Sequence, residues 1–204
     1  MRATIAADIA LVLFAVFGVL GFGWRSWLQY RRTGSTGIRA ARGGATERIA
    51  AAALAIALLV AGSAPILQRA NIIGPIGALT AVWIQVVGIA VATAGIAATV
   101  YAQLAMGDSW RMGVDARETT TLVHTGVFGL VRNPIYSSMF AFDLGATLLT
   151  PNLVACLGFI LLIATIELQV RRVEEPYLTR IHGDAYRAYT ASVGRFVPGI
   201  GLIR

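Results

Sequence analysis

The chain has 204 residues, 57% of them hydrophobic and only 13% charged, against about 25% charged in a soluble domain. Its formal charge of +7 comes from arginine alone, since it contains no lysine. This composition belongs to the membrane class. It makes arginine a marker of sidedness and of contact with anionic lipid rather than of nucleic acid, for which no compact basic motif is present. The single Cys156 excludes a disulfide framework. Two histidines, His124 and His182, are too few for an ordinary zinc site, so no metal is expected.

Five apolar stretches predict an all-α integral membrane protein, because a spanning helix takes about 20 residues. The first, Ile5–Trp24, is too long for the apolar core of a signal peptide and lacks a small-residue cleavage site after it, so it reads as a retained helix. A glycine-rich loop, Arg31–Ala45, separates it from the second stretch, Ile49–Leu67. The third, Ile76–Ala102, carries Gly88, Ala92, Gly95 and Ala98 at helical spacing, which lets a neighbouring helix approach closely. The fourth, Ile135–Thr150, is short. The turn Thr150-Pro151-Asn152 joins it to the fifth, Leu153–Val170, as an antiparallel hairpin.

Arginine is strongly asymmetric across these spans. Six arginines lie between Arg25 and Arg48, three between Arg111 and Arg132, and six from Arg171 to Arg204, against Arg2 and Arg69 on the other side. The positive-inside rule then puts the N-terminus outside and the C-terminus in the cytoplasm, as in an inner or plasma membrane. Residues 1–102 read as three accessory helices. Residues 103–204, where the polar density lies, read as the region that carries chemistry.

That density comes in three blocks: a connection from Met106 to Gly126, the stretch GLVRNPIYSSMFAFDLG from Gly129, and the segment Glu174–Gly199. In the second block Asn133 precedes Pro134, a pairing that predicts a capped helix start. Arg132 lies just outside it and Tyr136 in its first turn. Helix start and guanidinium together suit an anion such as a carboxylate. Asp143 further along, and Glu167 on the fifth stretch, are ionisable groups at membrane depth and must face the bundle or stay protonated. In the third block Glu174 and Glu175 precede Pro176, which disfavours helix at Glu175 and predicts a break. Two short interfacial helices follow, Pro176–His182 and Asp184–Val193, separated by Gly183. Tyr186, Tyr189 and Val193 share one face of the second, which suits it to lid a site.

These residues resemble the isoprenylcysteine carboxyl methyltransferase family and the related phospholipid methyltransferases. The resemblance runs through Gly126, Phe128, Arg132, Asn133, Pro134, Tyr136 and Gly145, then Glu174, Glu175, Leu178, Gly183, Tyr186, Tyr189 and Pro198. It covers about residues 104–200. Three positions depart from it: Asn133 stands for histidine, Ser138 for glycine and Phe142 for tryptophan, and the last two are expected to reshape the wall of the acceptor channel.

The resemblance implies a membrane enzyme that binds S-adenosylmethionine on the cytoplasmic side and takes a lipophilic acceptor from the bilayer. It implies Arg132, Tyr136 and Glu175 as catalytic residues. It implies Asn133, Pro134, Tyr136, Glu174, Glu175, Leu178, Tyr186 and Tyr189 as cofactor contacts. The acceptor would be the carboxylate of an isoprenylcysteine-like or other lipid-soluble molecule, which needs no general base. A phospholipid amine is the alternative, with Asp143 or Glu167 as base. An NADPH-dependent sterol-type reductase, using Arg171, Arg172 and Arg187, and a non-catalytic scaffold are the readings from other classes.

Overall fold

The computed structural model describes residues 1–37, 44–110 and 121–203. Parts of the loop after the first span and of the Met106–Gly126 connection lie outside them. Seven helices are described: α1 (Ala3–Gly18), α2 (Arg25–Thr33), α3 (Ala45–Arg69), α4 (Val82–Met106), α5 (Pro134–Leu149), α6 (Leu153–Gln169) and α7 (Glu175–Ser192). Four helical runs are long and apolar enough to cross a membrane: Ala3–Thr33, Ala45–Arg69, Val82–Met106 and the run that starts at Leu153. The protein is an all-α integral membrane protein. The predicted fourth span is α5, and it falls short of crossing alone. Its 16 residues reach about 24 Å at 1.5 Å per residue, against a hydrocarbon core of about 30 Å.

Two differences from the sequence reading reshape the outline. The first span does not end at Trp24: a π-turn, Val19–Trp24, carries it into α2, and it stops at Thr33, where Gly34 takes the left-handed conformation at φ 72°. The break expected at Glu175 is also missing. A second π-turn, Val170–Glu174, joins α6 to α7, and Glu175 is helical at φ −61°, ψ −43°. Pro176 sits directly after this wider winding, in the first turn of α7, where its missing N–H removes no regular helical bond. The chain turns instead at Gly183 (φ 53°), a conformation that glycine tolerates and other residues resist.

The close helix approach predicted for the third span is made with α5. A Cβ on Gly95 would lie 2.4 Å from the backbone nitrogen of Phe142, and one on Gly145 would lie 2.3 Å from that of Ala92. The two backbones touch because neither helix carries a side chain there. Gly158 serves α6 against Ala61 of α3 in the same way. Phe17 of α1 stacks on Phe142 with ring centroids 4.1 Å apart, closing a core with Ala92, Ile96, Met139 and Ile166. At one end of the bundle Asn152 caps α6 by accepting from Ala155 N–H, and its amide donates to Gln68. The other end is where the short α5 begins, and there the helices leave a cavity.

Candidate active site

The tail folds back onto the start of α5. Arg132 N–H donates to the Gly194 carbonyl at 2.8 Å and Asn133 N–H to that of Arg195 at 3.1 Å. Gly194 leaves no room for a side chain, since a Cβ would lie 2.1 Å from the Val197 carbonyl oxygen. Asn133 precedes the helix as expected but does not cap it. Its amide donates to the Arg195 carbonyl at 3.2 Å instead.

Beneath this strap lies a buried ionic cluster. Arg132 donates to Glu175 at 2.9 Å and to the carbonyls of Thr190, Val193 and Gly201. Arg195 grips both oxygens of Glu175, at 2.8 and 3.0 Å, and reaches Glu167 at 3.5 Å. The bonds it donates to Glu175 push the Arg195 guanidinium above its ordinary range against the opposing effect of burial. Arg132, Glu175 and Arg195 are each under 9% exposed. The anion expected beside Arg132 is therefore the protein's own Glu175.

Glu174 points elsewhere. Its carboxylate accepts from the Tyr136 hydroxyl at 2.5 Å and from the Gln169 amide at 3.0 Å, and Gln169 also donates to the Tyr136 oxygen. All three line a cavity of about 460 Å³. Of the residues singled out in the sequence, Arg132, Asn133, Pro134, Tyr136, Glu174, Leu178, Tyr186 and Tyr189 line it, whereas Glu175 does not. Tyr189 is fixed by donating its hydroxyl to the Phe128 carbonyl.

The cavity also takes a wall that the sequence did not reveal. Phe17, Gly21 and Phe22 from α1 and its π-turn, Leu54 and Leu58 from α3, and Thr99 and Gln103 from α4 line it, with Glu47 and Trp110. Residues before 103 thus share in the site. The signal for them is only general: apolar helix faces look alike in sequence, and π-turns carry no sequence mark.

Two expectations are corrected. Phe142 and Ser138 do not line the cavity. Phe142 packs on Phe17 and Phe14, and the Ser138 hydroxyl donates to the Pro134 carbonyl within its own helix. Asp143 and Glu167 do not line it either. Asp143 is buried with Oδ2 unpartnered among the described residues, and Glu167 is paired with Arg171 and Arg195.

This geometry can be set beside known proteins. The sequence model of the phospholipid methyltransferase family matches residues 83–185, half of the chain. The chain belongs to the phospholipid methyltransferase family. The matched span runs from α4 into α7 and includes Arg132, Tyr136, Gln169 and Glu174. The protein-S-isoprenylcysteine O-methyltransferase of Schizosaccharomyces pombe is 35% identical over 77 residues, 38% of this chain and 33% of that protein. A solved structure of the eukaryotic intramembrane Ras methyltransferase, isoprenylcysteine carboxyl methyltransferase, shares the fold. It superimposes with a TM-score of 0.52 at 22% identity, covering 77% of this chain and 53% of that one. The chain thus spans a third to a half of the length of these relatives.

Proposed function

We propose that this member of the phospholipid methyltransferase family transfers a methyl group from S-adenosylmethionine to a lipophilic acceptor inside the cavity, on the cytoplasmic side of the membrane. The observation that carries this reading is the cavity's two-part lining. Glu174, Tyr136 and Gln169 form one polar wall, and Phe17, Phe22, Leu54 and Leu58 form an apolar one.

The residues present fit the cofactor. A carboxylate held by Tyr136 and Gln169 suits an ammonium or ribose hydroxyls, and the rings of Tyr186 and Tyr189 suit a flat or cationic group. When bound, the cofactor supplies a methyl group already activated on a sulfonium. The protein's part is then alignment and the exclusion of water, and alignment alone contributes up to ~7–11 kcal/mol. Transfer breaks one C–S bond and forms one C–O or C–N bond. A carboxylate acceptor becomes a neutral ester with no proton to move, while an ammonium acceptor must first lose a proton. Arg132, Glu175 and Arg195 act as positioning residues in this account, since they hold the strap over the start of α5. The arginine asymmetry of the sequence supports the cytoplasmic placement.

A specific observation favours an amine as the second reading of the acceptor. Arg132, the cation that a carboxylate acceptor would want, is engaged by Glu175 and three carbonyls, whereas Glu174 brings a carboxylate to the cavity wall. The test is transfer of a labelled methyl group from S-adenosylmethionine to a lipid extract by the detergent-purified protein. Label released by base as volatile methanol identifies a methyl ester, and label that stays non-volatile after base identifies a methylated amine. No lipid-associated label from any extract would count against the reading.

A further inference from the structure

Gln103 sits on α4, is 3% exposed, and lines the cavity. Its amide is oriented by one bond, because Nε2 donates to the Gly21 carbonyl at 2.9 Å. Only the nitrogen can make that bond, so the amide has one sense. Oε1 is left buried with no partner among the described residues. The receiving carbonyl belongs to the π-turn Val19–Trp24, whose Gly21 and Phe22 also line the cavity. Wide turns of this kind are frequent at functional sites. The neighbouring Thr99 hydroxyl is committed to the Gly95 carbonyl at 2.8 Å and does not serve Oε1.

The α4–α5 register places Gln103 at the depth of the site. Gly88 meets Leu149 and Gly95 meets Phe142. Continued antiparallel, that pairing brings Gln103 level with Pro134, next to Asn133 and Tyr136. A buried amide oxygen without a partner is unfavourable, and native structures satisfy such groups with a bound molecule or an ordered water.

We propose that Gln103 Oε1 is a specificity element that accepts a hydrogen bond from an N–H donor of the bound ligand. The π-turn at Gly21 fixes the direction of that acceptor. The inference rests on the methyl-transfer reading for the ligand's identity but not for its hydrogen-bonding sense. Two sources carry the chemistry: the exocyclic amino group of an adenine, or the amine of a lipophilic acceptor.

The experiment uses the full-length protein in detergent, as wild type, Gln103→Met and Gln103→Glu. Methionine removes the acceptor. A buried glutamic acid keeps a carbonyl and can donate to Gly21 through its O–H. In the first arm S-adenosylhomocysteine is titrated against S-inosylhomocysteine, which lacks the amino group. In the second, hexadecylamine is compared with hexadecyl methyl ether, which lacks an N–H, by shift in thermal unfolding. With adenine as source, wild type prefers S-adenosylhomocysteine by about tenfold, Gln103→Met loses the preference and Gln103→Glu restores it. With an amine acceptor as source, the same pattern moves to the second arm. A merely structural glutamine would lower all affinities together and leave the ratios intact.

Unchanged ratios in both arms overturn the inference and assign Oε1 to water. Failure of wild type to bind S-adenosylhomocysteine at all overturns the methyl-transfer reading instead, and the amine arm then judges Gln103 alone.

Discussion

Glu174 and Glu175 are consecutive, yet they serve different structures. Glu174 holds Tyr136 and Gln169 at the cavity wall, while Glu175 is clasped by Arg132 and Arg195 beneath the tail. Adjacent positions on a helix point about 100° apart, so a pair read in sequence as one acidic site divides into a cavity carboxylate and a buried counter-ion.

The two residues should separate on mutation. Glu175→Gln takes the carboxylate partner from the buried Arg132 and leaves Arg195 only its longer contact to Glu167, and breaking a buried pair of this kind costs about 3–5 kcal/mol. A marked fall in the thermal unfolding midpoint in detergent is expected. Glu174→Gln keeps the hydrogen-bonding shape and should unfold close to wild type. Equal midpoints for both variants would remove the distinction.

Arg132→Lys tests the strap. A lysine cannot present the planar fork that serves Glu175 and the carbonyls of Thr190, Val193 and Gly201 together. The expected result is normal membrane insertion with faster proteolytic cleavage after Ser192, read by mass spectrometry of the fragments, and low methyl transfer. Wild-type resistance to protease would show that charge alone suffices.

Gly145→Ala should fail where Gly62→Ala succeeds. A methyl group at 145 would lie 2.3 Å from the Ala92 backbone nitrogen, whereas one at 62 meets nothing within 4 Å. Overpacking of this kind costs about 1–3 kcal/mol. The yield of monodisperse protein after purification should fall for the first variant only.

Phe142→Trp, which brings in the residue of the resembled family, bears on stability and not on substrate choice. The position stacks on Phe17 inside the core and does not line the cavity. Reduced thermal stability with an unchanged acceptor preference is expected. A shifted preference would return Phe142 to the channel wall.

The sequence makes the membrane class and the hairpin legible because hydropathy and a proline turn are local signals, and the α5–α6 turn falls where Thr150-Pro151-Asn152 predicts it. Gly183 reads correctly for the same reason. The partners of Arg132 are not legible: Glu175 lies 43 positions away and Gly201 lies 69 positions away. Nor is the course of the helix through Glu175, because the π-turn before it overrides the local preference set by Pro176. Gln103 escapes notice in sequence as a polar residue near a helix end. Only its bond to Gly21, 82 positions away, gives it meaning.

The most direct test of the central claim is a calorimetric titration of S-adenosylhomocysteine into detergent-purified wild type and Glu174→Gln, with NADPH as control. The account expects saturable binding to wild type and a weakening of about tenfold or more in the variant, the size of a lost charge-assisted hydrogen bond. It expects no response to NADPH. Saturable binding of NADPH with none of S-adenosylhomocysteine would contradict it.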